Sequence, residues 1–214
     1  KSNFSIYYDF GNFTAQGVGS DELITLSRNV LTSSFDYKFP IFKKKSEIKS
    51  INEGFRFTPI VLNEGLDWVT NFKSGIFLYS NGSSQSALSI STGPELTLGK
   101  FNETYFDYTN LKIFVSYFIK GGDSPFIFDR VDHTLRANLS FDQQLIGPLV
   151  FGFDTYLNLD VDDSNYGKFE KSNYSINFQR RAYNVGAYYQ PSSETIGIEF
   201  QIFNFDYSGK SKTF

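Results

Sequence analysis

Apolar and polar residues alternate along almost the whole chain. Phe4, Ile6, Tyr8 and Phe10 interleave with Ser5, Tyr7 and Asp9. Leu135, Ala137, Leu139 and Phe141 interleave with Thr134, Arg136, Asn138, Ser140 and Asp142. From Leu149 to Leu159 the odd positions are apolar apart from Thr155, and Ile196, Ile198, Phe200 and Ile202 repeat the pattern against Thr195, Gly197, Glu199 and Gln201. A period of two puts successive side chains on opposite faces of a strand, whereas the i, i+3, i+4 spacing of an amphipathic helix is hard to find. Turn signals interrupt the alternation at Asn81-Gly82, Gly121-Gly122-Asp123, Gly147-Pro148 and Pro191-Ser192-Ser193. The pattern predicts roughly ten strands, near residues 3–14, 23–39, 54–62, 67–80, 86–99, 105–120, 131–146, 149–161, 172–190 and 194–207.

Strand length bears on the solvent these faces meet. Strands of soluble proteins usually run about 5–6 residues, whereas those that cross an outer membrane need about 9–11. Most of the predicted segments belong to the longer class. Short connections at 81–85, 147–148 and 191–193 contrast with longer polar ones at 43–53, 121–130 and 161–171. Short turns at one end and long loops at the other are expected of an outer-membrane barrel. The fold class predicted is therefore all-β, an antiparallel transmembrane β-barrel of roughly 10–12 long strands within one domain over residues 1–214. In it Leu135, Leu139, Leu149, Phe151, Phe153, Ile196, Ile198 and Phe200 face lipid. Arg136, Asn138, Asp142, Gln144, Glu199 and Gln201 face a wet lumen, where they are candidates for substrate contact. A soluble β-sandwich would also alternate, and it stays open as a binding module.

Around Arg180-Arg181 the apolar phase flips, from even positions in Tyr174–Phe178 to odd positions in Tyr183–Tyr189. Gln179-Arg-Arg-Ala182 lacks the Gly, Asn or Asp of a primed turn, which favours a β-bulge inside one long strand over a hairpin. A similar switch occurs where Ile202 gives way to Phe203, Phe205 and Tyr207.

Composition fits these strands: 25 Phe and 14 Tyr stand against a single Trp, an aromatic share of 19%. Trp68 reads either as an interface anchor or as a packed residue. A net charge of −3 without a basic cluster gives no reason to expect nucleic acid. The absence of cysteine removes any disulfide framework or thiolate metal site. The longest uncharged apolar run, Leu145–Phe153, is far shorter than the roughly 18–20 residues of a spanning helix. Because the chain starts in mid-pattern at Lys1-Ser2-Asn3-Phe4 without an initiator Met, it is expected to be part of a longer one.

The C-terminal stretch RRAYNVGAYYQPSSETIGIEFQIFNFDYSG, residues 180–209, resembles the end of LptD-like proteins, the outer-membrane component of lipopolysaccharide transport. It is most similar to a cyanobacterial branch catalogued as a domain of unknown function. Ala182-Tyr-Asn-Val-Gly-Ala-Tyr-Tyr189 and Ile196-Gly-Ile-Glu-Phe200 match the family's last two strands. FDQQLIGPLVFGFDTYLNLD at 141–160 and SGIFLYSNGSSQSALSISTGPELTLG at 74–99 carry the similarity through the chain. The resemblance implies a C-terminal portion of a larger barrel in the cell outer membrane. Its function would be the transport and insertion of lipopolysaccharide or a related glycolipid into the outer leaflet. The partners implied are outer-membrane lipids, a plug lipoprotein and a periplasmic bridge protein. Three features depart from the family pattern. Arg181 and Ala182 stand where many members carry cysteines, the periplasmic jelly roll is not in this sequence, and Lys210 and Lys212 precede the terminal Phe214 in place of apolar residues.

Little else carries chemistry, so neither enzyme activity nor a cofactor is predicted. His133, the only histidine, has no second ligand for zinc and no Ser-His-Asp order around it. Asp160-Val-Asp-Asp-Ser-Asn165 is rich in oxygen but lacks the glycine and the glutamate of a calcium loop, and reads as a solvated loop. Lys43-Lys44-Lys45 reads as a solvated tip, with anionic headgroups as the alternative. No Gly-x4-Gly-Lys-Ser/Thr occurs, so energy for any transport would come from other components. A passive channel or structural barrel is the alternative to a lipopolysaccharide translocon.

Overall fold

A computed structural model of the chain describes residues 2–19, 21–44, 57–58, 62–131 and 134–203. It consists of β1 (Ser2–Gln16), β2 (Leu23–Lys43), β3 (Gly65–Tyr79), β4 (Ser84–Gly99), β5 (Tyr108–Gly122), β6 (Leu135–Ile146), β7 (Leu149–Asn158), β8 (Phe169–Gln179), β9 (Tyr183–Gln190) and β10 (Thr195–Ile202). These form one antiparallel ten-stranded sheet in sequence order, not closed into a barrel, with β1 and β10 at its edges. Among the described residues the only helical turns are short 3-10 segments, Ile127–Asp129 and Pro191–Ser193. No helix among them is long and apolar enough to cross a membrane.

Most strands lie where the alternation predicts them, and their length follows from its persistence: β1 to β5 run 15 to 21 residues. Turn chemistry explains two tight reversals. At 80–83 Gly82 takes φ 84 while the Asn81 carboxamide accepts the Ser83 N–H at 3.0 Å. At 147–148 Gly147 takes φ 53. Gly121-Gly122 does not mark a turn; both residues still belong to β5.

Of the segment expected at 54–62, residues 54–56 and 59–61 lie outside the described residues, and Phe57, Thr58 and Leu62 are not in a strand. One predicted strand is corrected. The segment 172–190 is a hairpin rather than one bulged strand. Tyr174 pairs with Tyr189 and Gln179 with Asn184, and the Arg180 N–H donates to the Tyr183 carbonyl at 2.8 Å. Each even-numbered residue of β8 pairs with an odd-numbered one of β9, so this connection flips the apolar phase as a bulge would. No residue from Arg180 to Ala182 has positive φ, so the turn makes no demand for Gly, Asn or Asp. Register shifts occur instead between Pro40 and Phe42, between Gln144 and Ile146, and in β8 opposite Asp154–Tyr156, where Lys171 takes φ 49. The switch after Ile202 runs into residues outside the described ones, as do Phe205, Tyr207 and Phe214.

The predicted separation of short turns from long loops does not occur either. Strands alternate in direction, so the connections after β1, β3, β5, β7 and β9, among them 80–83, 159–168 and 191–194, leave from one end, and those after β2, β4, β6 and β8, among them 100–107, 147–148 and 180–182, leave from the other. Each end mixes tight turns with long connections. We call these the first and second ends.

Candidate functional site

Residues paired across an antiparallel ladder point to the same face, so register assigns each strand residue a side. One row runs Phe4, Phe35, Phe72, Ile90, Tyr117, Leu135 through β1 to β6. Another continues Phe141, Phe153, Tyr174, Tyr189, Ile196 through β6 to β10. Outside the β8 bulge, no Asp, Glu, Lys or Arg is paired on this face in any of the ten strands. Every charged residue in the ladders pairs on the other face, from Asp9 and Arg28 at one edge to Glu170 and Glu199 at the other.

The charge-free face is apolar and uncovered. Phe10 is 63% exposed, Ile113 43% and Ile196 77%. The eight residues predicted to share a face, from Leu135 to Phe200, all lie on it. Its hydroxyls satisfy one another: Ser33 meets Ser74 at 2.8 Å, and Thr70 meets Thr92 at 2.9 Å. Trp68 is here too, its indole N–H donating to Thr92 at 2.8 Å. Towards the first end the surface turns polar, with Asn12 and Thr14 paired to Ser27 and Thr25.

The other face is polar and carries all six candidate contact residues. They do not converge on one point. Arg136 lies near the first end, its guanidinium 4.6 Å from the ring centres of both Phe118 and Tyr156. Asn138 donates to the Thr155 carbonyl at 3.4 Å. Asp142 lies over Gly152, where a built Cβ would stand 3.1 Å from its Oδ1 and 2.4 Å from the Ser175 hydroxyl, so glycine leaves room for both. Gln144 is fully buried: its amide donates to the carbonyls of Glu103 and Gly147, and its oxygen accepts the Asp107 N–H at 2.6 Å. Those bonds make Gln144 a support for the loop 100–107. Glu199 and Gln201 stand exposed on the edge strand β10.

Between the two ends the polar face holds hydroxyls and paired charges. A cavity of about 380 Å³ is lined by Ser5, Thr32, Ser34, Lys73, Ser89 and Phe118 among others. Lys38 reaches across β3 to Glu95 at 2.5 Å and also meets Asp67 at 3.2 Å.

Connections fold over this face at both ends, which periodicity could not reveal. At the first end the β5–β6 connection crosses towards β1: Gly17 bridges Phe126, and the Val18 N–H donates to Pro125 at 2.9 Å. Asp129, carried in with it, pairs with Arg28 at 2.7 Å and accepts the Tyr79 hydroxyl at 3.0 Å. Arg28 also meets Asp9 at 3.1 Å, and its guanidinium lies 5.1 to 5.6 Å from the centres of Phe13, Phe77 and Phe128. Arg28 and Asp129 lie 101 positions apart, and no local pattern joins them. At the second end Phe57, Phe101 and Val150 form a buried cluster flanked by Leu62 and Tyr108.

The remaining candidates resolve into turn and loop chemistry. Asp160 accepts the N–H groups of Thr134 at 2.9 Å and Asp162 at 3.3 Å, which hold its carboxyl below the usual carboxylate range. Asp163 similarly takes the Asn165 N–H, and no group of three or more potential metal ligands occurs among the described residues. Lys44 pairs with Glu64 at 2.8 Å; that ion pair and the Gly99 N–H lower the Glu64 carboxyl, while the lysine is raised. Lys45 and His133 lie outside the described residues.

A family model described as "Protein of unknown function (DUF3769)" matches residues 7–206. No curated protein and no solved structure matches the chain.

Proposed function

The chain belongs to the DUF3769 family; from the sequence resemblance and the two unlike faces of the sheet, we propose that it forms part of the wall of an LptD-type outer-membrane β-barrel. In this reading the apolar face meets outer-membrane lipid and the polar face lines a lumen through which lipopolysaccharide or a related glycolipid passes to the outer leaflet. One observation carries the environment: the complete absence of paired charge from an exposed ten-strand face. A soluble sheet buries its apolar face, whereas a membrane strand exposes it to hydrocarbon, where Arg or Lys at mid-depth costs about 2–4 kcal/mol. The paired serines and threonines fit the same solvent, since a lone hydroxyl in hydrocarbon lacks the partner that water supplies. The glycolipid substrate rests on the sequence resemblance together with a polar face of hydroxyls and amides suited to saccharide.

No covalent chemistry is needed for this role. The saccharide would exchange hydrogen bonds with water for bonds with the polar face while the acyl chains stay in lipid. Depletion of the full-length protein with assay of surface lipopolysaccharide tests the function; unchanged surface lipopolysaccharide would remove it. A second reading, a structural barrel or passive channel, is favoured by the aromatic clusters that fill the polar face at both ends. That reading expects normal lipopolysaccharide after depletion and altered permeability to small solutes.

A further inference from the structure

Two arginines on the polar face are held by aromatic rings, and only one has a counter-charge. Arg28 has Asp9 and Asp129. Arg136 lies 4.6 Å from both Phe118 and Tyr156, yet it has no ion pair or hydrogen-bond acceptor among the described residues, and its Nε is buried without a partner. Its ladder partners are Ser116 and Asn158. The Ser116 hydroxyl meets Ser91 at 2.7 Å, and the Asn158 amide donates to Asp163 at 2.9 Å and Glu170 at 3.3 Å. Nearby Asp160 accepts backbone N–H groups.

Ring faces attract a cation but accept none of a guanidinium's in-plane N–H donors. A half-buried guanidinium therefore retains an unmet demand for acceptors, which a planar or tetrahedral oxyanion satisfies through two parallel bonds. The two rings also restrict the side chain, so less ordering entropy remains to be lost when an anion arrives.

We propose that Arg136, clamped by Phe118 and Tyr156, is a preorganised site for one anionic group, a phosphate or a carboxylate, on the glycolipid that passes along this face. That the anion belongs to a glycolipid rests on the transport reading above; the anion site itself does not.

The test uses the full-length protein folded in detergent micelles with 15N-labelled arginine, following the arginine Nε–H resonances. Sodium phosphate, sodium acetate and sodium chloride are titrated separately at matched ionic strength. The resonance that disappears in Arg136→Lys, or in Arg136→Gln should the lysine variant not fold, reports the site. We expect it to shift saturably with phosphate, acetate or both, while that of Arg28 stays still. Phosphate alone identifies a phosphate subsite, and acetate alone a carboxylate subsite. Tyr156→Leu should weaken the response about tenfold, the value of roughly one stacked, oriented contact. An Arg136 resonance indifferent to both anions, or one that moves equally with chloride, overturns the proposal. Saturable binding in a protein whose depletion leaves surface lipopolysaccharide unchanged would keep the anion site and discard the glycolipid.

Discussion

Arg28 and Arg136 occupy the same face near the same end of the sheet, and both lie against aromatic rings, but the surroundings differ in what completes them. The Arg28 side chain is 13% exposed and the Asp129 side chain 5%, so the pair is largely removed from water. The loop that brings Asp129 also delivers Phe126 and Phe128, and the Tyr79 hydroxyl bonds both Asp129 and Ser124. There charge, ring and hydroxyl are bound into the fold. Around Arg136 the rings are in place, but the described residues provide no carboxylate partner. The difference teaches that an arginine on a polar sheet face belongs to the architecture when the fold delivers its acid, and is available to a ligand when it does not.

The sharpest way to break that comparison is to truncate Arg28. Arg28→Leu leaves Asp129 buried without its cation and should cost about 3–5 kcal/mol of stability, measured by chemical unfolding in micelles. Arg136→Leu strands no acid and should cost less than about 1 kcal/mol. Equal losses would show that both arginines are structural. Next in size is the facing of the sheet. In bilayers Leu139→Arg should cost about 2–4 kcal/mol, while Arg136→Leu, three residues away on the other face, folds normally. If both are tolerated alike, the apolar face does not meet lipid.

Tyr79→Phe sharpens the Arg28 side by removing one hydroxyl from the cluster. It should cost about 1–2 kcal/mol in the same unfolding measurement, because the Ser124 and Asp129 partners lose a bond in a largely buried setting. The smallest effect concerns the loop after β7. The folded Asp160 carboxyl is lowered below its unfolded value, so its contribution is complete above the unfolded pKa of about 4 and is lost as pH falls through the folded value. Protection of the Thr134 and Asp162 amides, taken relative to their intrinsic exchange rates at each pH, should therefore be full at neutral pH and fall on acidification, and Asp160→Asn should remove that pH dependence. Protection that survives acidification unchanged would show that the carboxylate does not hold the turn.

What the chain determined by itself is the identity of its two faces. Strand periodicity is a local property, set by the alternation of side chains along an extended backbone, so Leu139 and Arg136 are separated before any partner strand is known. The Asn81-Gly82 and Gly147-Pro148 turns were legible for the same reason, since their backbone demands lie within a few residues. The reversal at Arg180–Ala182 was not: a hairpin with four residues between its last paired positions, Gln179 and Asn184, and a bulge shift the apolar phase alike, and only pairing of Tyr174 with Tyr189 distinguishes them. Nor could periodicity place Asp129 against Arg28 or close the 100–107 loop onto Gln144. Those contacts join residues far apart in the chain, and their geometry exists only once the strands between have taken their register. Tertiary structure thus decided which polar residues are consumed by the fold and which, like Arg136, remain unspent.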